Sequence, residues 1–125
     1  MTINLAEILA VAGGGALGCL GRYFADQLDI FQEHTHNTIL INLAGCFIIG
    51  ILWVLFTDSD TTLKSRFLIT GLLGGFTTFS AFSLHPLLMI KNGALYQATL
   101  YVLISVIGGL FLCAIGAWIA ERLIK

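Results

Sequence analysis

A chain of 125 residues that is 58% hydrophobic and 10% charged stands apart from soluble domains, where roughly 45–50% of residues are apolar and about 25% charged. It cannot furnish the polar exterior a soluble domain of this size needs, so the composition directs it to a bilayer. A net charge of −1 gives no sign of a nucleic-acid or acidic partner.

The first predicted span, residues 4–26, runs through apolar sequence from Leu5 to about Ala25, with Glu7 and Arg22 near its opposite ends. Long charged side chains at span ends can reach the headgroups. A cleaved signal peptide is the competing reading, but no basic residue precedes the run and it is long for one. Gly13, Gly14, Gly15, Gly18 and Gly21 lie in this span with Ala16 beside them. Small residues let membrane helices approach one another, although glycine is also simply frequent in such helices.

The connecting segment Asp26 to His36 contains Glu33, His34 and His36. An isolated His-x-His in a loop is weak evidence for a metal, and no zinc site is expected. The second span, 37–57, lies in a window free of Asp, Glu, Lys and Arg from His34 to Thr57, long enough for the roughly 20 residues that cross a hydrocarbon core. Asn42 is an amide inside this apolar run.

After the loop Asp58 to Lys64, the third span, 65–91, holds the densest polar chemistry. Gly71, Gly74 and Gly75 are followed by Thr77, Thr78, Ser80 and Ser83, a pattern both flexible and polar, so a helix broken near its middle is expected. Backbone groups freed there are tolerated in a membrane only where they line a cavity or bind an ion. Phe79 and Phe82, three residues apart, share a helical face. The alternative is that these hydroxyls bond only to carbonyls of their own helix.

Lys91-Asn92-Gly93 links to the fourth span, 95–122, with Gly108, Gly109 and Gly116 for packing and Tyr101 and Ser105 one turn apart on one face. Cys19, Cys46 and Cys113 sit within spans without paired ligand spacing and read as buried thiols. Trp53 and Trp118, near span ends, read as interface anchors. No nucleophile–base pair or phosphate loop appears, so no enzyme is expected. Nor is there a low-complexity tract, a strong internal repeat or a lipidation signal.

Continuous apolar runs exclude barrel strands, which alternate over about 10 residues, and leave helices as the spanning element. The predicted fold is therefore a single all-α integral membrane domain of four transmembrane helices. Four such helices make a poor container for a pathway, so the chain must oligomerise or serve as an accessory subunit. With four spans, Lys64, Arg66, Arg122 and Lys125 fall on one side and Arg22 and Lys91 on the other. That is a weak positive-inside bias, compatible with insertion in both directions and with an antiparallel dimer.

Four segments carry a resemblance: GGGALGCLGRYF in the first span, NTILINLAGCFIIG in the second, GLLGGFTTFSAFS in the third and YVLISVIGG in the fourth. Together they make the chain similar, along its whole length, to the Fluc (CrcB) family of fluoride channels. The resemblance implies subunits inserted in both orientations in a bacterial inner membrane. It further implies an antiparallel homodimer with two fluoride pores and a central sodium ion held by backbone carbonyls at the third-helix breaks. The pore aromatics then fall on Phe79 and Phe82, the pore amide on Asn42, and the hydroxyl track on Ser80, Ser83, Tyr101 and Ser105. Gly74 and Thr77 match the carbonyl donors for sodium, and Arg22 a basic residue near the aqueous vestibule. Two positions depart from the family pattern. Ala81 replaces a usual Thr, and His85 stands where an acidic residue is usual. Protonation of His85 near neutral pH would make the pore entrance more attractive to anions; a structural His beside Pro86 is the other reading.

These residue types suit fluoride, a small and strongly hydrated ion whose water a dry pore must replace with donors. Binding must be favourable enough for entry and weak enough for exit. Amide and hydroxyl hydrogens donate, and phenyl rings present electropositive edges. Two other readings remain at this point. A small four-helix multidrug or cation transporter would need an acidic residue deep in the membrane, and the candidate, Glu7, lies close to the terminus. An accessory membrane subunit would need partner chains.

Overall fold

The computed structural model describes residues 4–28, 34–57 and 62–124. Helix α1 spans Leu5–Gln27 and α2 His34–Thr57; a short α3, Thr62–Ser65, leads into a π-helical stretch, Arg66–Leu73. Helix α4 (Gly74–Phe76) follows, then α5 (Phe79–Lys91) and α6 (Leu95–Ile124). The spans predicted at 4–26, 37–57, 65–91 and 95–122 fall on these helices. Four stretches, Leu5–Gln27, Thr35–Thr57, Thr62–Lys91 and Leu95–Ile124, are long and apolar enough to cross a membrane, and no strand occurs among the described residues. The protein is a multi-pass membrane protein.

Local chemistry sets the helix ends. Asn4 is extended (φ −91°, ψ 125°), and its side chain accepts from the Ala6 N–H at 3.0 Å, which satisfies an otherwise orphaned donor. Between α5 and α6 the chain reverses at Gly93, whose φ of 77° lies in the left-handed region that glycine enters freely. There the Gly93 N–H donates to Ile90 O (3.0 Å) and the Ala94 N–H to Met89 O (2.9 Å), closing α5 with a Schellman motif.

The closest packing joins helices that run in the same direction. Helix α1 lies along the π-helical stretch and α4, and α2 lies along α6. A Cβ placed at Gly14 would be 2.9 Å from Leu72 N, and one at Gly18 would be 2.8 Å from Phe76 N. On the other pair, a Cβ at Gly50 would be 2.9 Å from Ala117 N. These backbones touch. In lipid, helices gain little by hiding apolar side chains from one another, so close van der Waals approach through small residues carries the association. The large apolar side chains turn outward instead: Leu9, Phe24, Leu110 and Phe111 are all exposed. Trp118 is exposed too, with the Arg122 guanidinium 5.5 Å from its ring centroid, an arrangement suited to a membrane interface.

The third passage changes partners midway. It begins against α1 and finishes against α6, and between the two parts lie the extended residues Thr77 (φ −83°, ψ 158°) and Thr78 (φ −146°, ψ 113°). The sequence suggests that the glycines would supply this interruption. The backbone instead stays helical through Gly71, Gly74 and Gly75. Gly71 and Gly75 are spent on contact with α1: a Cβ on Gly75 would be 3.1 Å from Cys19 N. The extended torsions fall on β-branched threonines, which accept them readily.

Candidate functional site

At the Thr77–Thr78 interruption, α2, the third passage and α6 enclose a groove of about 340 Å³. Asn42 and Cys46 of α2, Gly74, Thr77, Thr78, Phe79 and Phe82 of the third passage, and Ser105 of α6 line it.

An interrupted helix leaves peptide groups that lipid cannot satisfy, and Asn42 answers for two of them. Its Nδ2 donates to Thr78 O at 3.1 Å, and its Oδ1 accepts from the Thr78 N–H at 2.8 Å. The primary amide has two hydrogens, so one is spent on Thr78 and one remains for the groove. The Thr78 hydroxyl accepts from the Ala81 N–H at 3.3 Å and so caps α5; it also lies 3.0 Å from Ser80 Oγ. Thr77 closes the preceding turn, its N–H and its hydroxyl both donating to Leu73 O at 2.9 Å.

The same geometry takes two carbonyls out of the helical ladder, of which Thr77 O accepts from the Arg22 guanidinium. The Thr78 N–H, which would serve Gly74 O in a continuous α-helix, is bonded to Asn42. The extended Thr77 directs its own carbonyl out of the helical ladder. Backbone oxygens of this kind are ligands that a hard cation prefers. Among the described residues, no group of three or more His, Cys, Asp or Glu side chains converges for a metal. Glu33 lies outside the described residues, and His36 is exposed. Arg22 reaches the interruption from α1, its Nη1 donating to Thr77 O at 3.5 Å.

The aromatic side chains form a continuous series. The Phe79 and Phe82 centroids are 5.2 Å apart with planes inclined at 41°, and Phe82 stacks on Tyr101 at 5.9 Å and 22°. Tyr101 in turn meets His85 edge-on at 5.9 Å, its Oη 3.5 Å from His85 Nδ1. Phe79 is 79% exposed, so its own chain leaves the electropositive ring edge available. Ser105 Oγ is buried without a hydrogen-bond partner, a donor in search of an acceptor.

Of the residues singled out in the sequence, Asn42, Gly74, Thr77, Phe79, Phe82 and Ser105 meet at one groove. Tyr101 stands behind Phe82, buried. Ser83 donates to Phe79 O of its own helix at 2.9 Å, the local bonding open to any Ser in a membrane helix, and neither it nor Ser80 lines the groove. Arg22 stands beside the interruption rather than in the groove wall. The sequence places Thr78 in the polar stretch without a role of its own and reads Cys46 only as a buried thiol, yet both line the groove. A threonine directly before a new helical turn is an N-cap signal that could have marked Thr78; nothing comparable marks Cys46.

Comparison with known proteins bears on this geometry. The family model described as CrcB-like protein, Camphor Resistance (CrcB), matches residues 9–117. A protein of Dehalococcoides mccartyi named fluoride-specific ion channel FluC is 37% identical over 124 residues, which cover 95% of each chain. Relatives of the same name from Desulfotalea psychrophila and Salinibacter ruber are similar as well. The first is 40% identical over 118 residues, covering 92% of each chain. The second is 39% identical over 117 residues, covering 90% of this chain and 88% of the relative.

Proposed function

This chain belongs to the CrcB-like family, and on that premise we propose that it conducts fluoride passively across the membrane along the groove at the Thr77–Thr78 interruption. One observation carries the reading: the groove gathers neutral donors and an accessible phenyl edge around helix backbone that is already opened. Asn42 keeps one amide hydrogen, Ser105 has an uncommitted hydroxyl, and Phe79 presents its ring. Neutral donors replace hydration water without holding an anion too tightly to leave, whereas a lysine or arginine in the same wall would trap it. Phe82 extends the aromatic path toward Tyr101, and the Ser80 and Ser83 hydroxyls stand beside it, that of Ser83 donating to Phe79 O until an ion draws it away. Arg22 raises the local anion concentration at the approach. The protein is a channel, not an enzyme.

The conducting unit is an antiparallel homodimer. A groove open on one side, with Phe79 exposed at its rim, does not shut out lipid and water, and a second copy inverted against the first completes the wall. The weak charge bias lets copies insert both ways, and the outward apolar side chains face lipid. Both copies would then bring a broken third helix to the interface, where the Gly74 and Thr77 carbonyls are the groups that would hold a structural sodium ion, whose charge would offset their dipoles. A bacterial inner membrane is the setting.

Coupled transport is not favoured. Glu7 pairs with Arg66 at 3.5 Å, both partly exposed at the start of their helices, which is no place for a buried coupling carboxylate. Liposomes containing only the purified chain, loaded with potassium fluoride and opened with a potassium ionophore, test the proposal. Rapid fluoride release supports a channel complete in itself. Release that needs a second protein or an opposing cation gradient refutes it.

A further inference from the structure

We infer that Thr78 is a positioning residue that aims the phenyl rings at the ion, so that fluoride selectivity depends on a side chain acting through its neighbours. The inference rests on the pathway proposed above and adds a residue to it. Each hydrogen-bonding group of Thr78 is committed to geometry. Its carbonyl and N–H are clamped by Asn42 at 3.1 and 2.8 Å, and its hydroxyl receives the Ala81 N–H at 3.3 Å. Its position is also decisive. It is the last extended residue before α5, so its torsions set the direction in which α5 leaves the interruption.

The first turn of α5 carries Phe79 and Phe82. Phe82 is supported, stacked on the buried Tyr101, but Phe79 is 79% exposed and touches Phe82 alone among the described rings. Little besides the start of α5 fixes the Phe79 ring. An anion is attracted by a ring edge and repelled by a ring face, so a rotation of this turn exchanges attraction for repulsion. Preorganised groups lose effect when their supporting shell loosens, even with the groups themselves intact. Position 78 therefore needs an N-cap that can also exchange two peptide hydrogen bonds with Asn42, and threonine meets both needs while tolerating the extended torsion.

The test uses the full chain with 4-fluorophenylalanine at position 79, in wild type and in Thr78→Val, Thr78→Ser and Thr78→Asn. Valine keeps the shape and β-branching but cannot cap; serine and asparagine both cap well. Two readings are taken on the folded fraction: the fluorine NMR line of the labelled ring, and the fluoride and chloride release rates from liposomes. Wild type, Ser and Asn are expected to give one ring line, with fluoride release within about twofold of one another. Valine is expected to give several lines or a broadened one, with the fluoride-to-chloride ratio lowered about fivefold, the population change that loss of a typical N-cap imposes. If Thr78→Val does not fold, Thr78→Ala, which also lacks the cap, takes its place. A single ring line and an unchanged ratio in the uncapped variant overturn the inference. So does a low ratio with a single line in Thr78→Asn, which would make the hydroxyl itself the ion contact. Absence of fluoride release from wild type refutes the pathway, while the ring lines still decide whether Thr78 positions Phe79.

Discussion

Asn42 and Thr78, 36 residues apart in sequence, exchange two hydrogen bonds, amide to carbonyl at 3.1 Å and peptide N–H to amide oxygen at 2.8 Å. The Asn42 side chain of α2 thus does for the two peptide groups that flank Thr78 what neighbouring helical turns would do. In water that substitution would be minor, because solvent competes for both groups. In a membrane it decides whether the helix can open at all, since unsatisfied backbone groups cost several kcal/mol each in hydrocarbon.

Asn42 should consequently fail in two ways at once. Asn42→Ala removes the clamp and the remaining amide hydrogen together. Stability should fall by about 1–3 kcal/mol, the cost of leaving partly buried polar groups unpaired. Fluoride release per folded protein should fall at least about tenfold, the effect of removing one good interaction with the moving ion. Thermal unfolding in detergent and liposome release measure the two. Lost stability with normal release would leave Asn42 a clamp only.

The two phenylalanines should separate packing from ion contact. Phe82 is stacked between Phe79 and Tyr101, so Phe82→Ile should cost about 1–3 kcal/mol of stability through misfit. Phe79 is largely exposed, and Phe79→Ile should change the stability of the isolated subunit by less than about 0.5 kcal/mol. Both lose an electropositive ring edge, and at least one should reduce fluoride flux severely. Normal flux in both variants, at matched amounts of folded protein, would place the pathway elsewhere.

Much of this is legible in the sequence, for physical reasons. Three of the four spans follow from charge-free windows, and the first from an apolar run bracketed by Glu7 and Arg22, since lipid penalises charge regardless of tertiary detail. The site residues that come together, such as Asn42, Phe79 and Ser105, are polar or aromatic groups in otherwise apolar helices. The exact place of the interruption was not legible. Glycine is read as flexibility, yet Gly71 and Gly75 serve as contact surface against α1, a role set by a helix more than 50 residues away. The pairing of Asn42 with Thr78 was hidden for the same reason: it depends on how α2 lies against the third passage, and no local pattern encodes that. Ser83 shows the converse ambiguity, because a polar residue in an apolar helix can bond its own backbone, here at Phe79 O.

The glycine contacts carry their own expectation. A Cβ at Gly18 would meet Phe76 N at 2.8 Å, whereas one at Gly15 would lie 3.9 Å from Gly71 O. Gly18→Ala should therefore force α1 from the third passage and cost about 1–3 kcal/mol, with Gly15→Ala neutral or slightly stabilising. Equal thermal stabilities for the two variants would contradict close backbone packing at this seam.

Subunit orientation offers a further check. Tags at the N- and C-termini of the expressed protein should be accessible from both sides of the membrane in comparable amounts, as the weak Lys and Arg bias predicts. A single orientation for all molecules would exclude the antiparallel dimer.

The central claim, that this chain is a fluoride channel with a neutral donor pathway, is tested most directly by anion selectivity. Purified protein in liposomes, with a potassium ionophore present, should release fluoride rapidly under a fluoride gradient. Under a matched chloride gradient it should release chloride far more slowly. Comparable rates for the two ions would contradict the account.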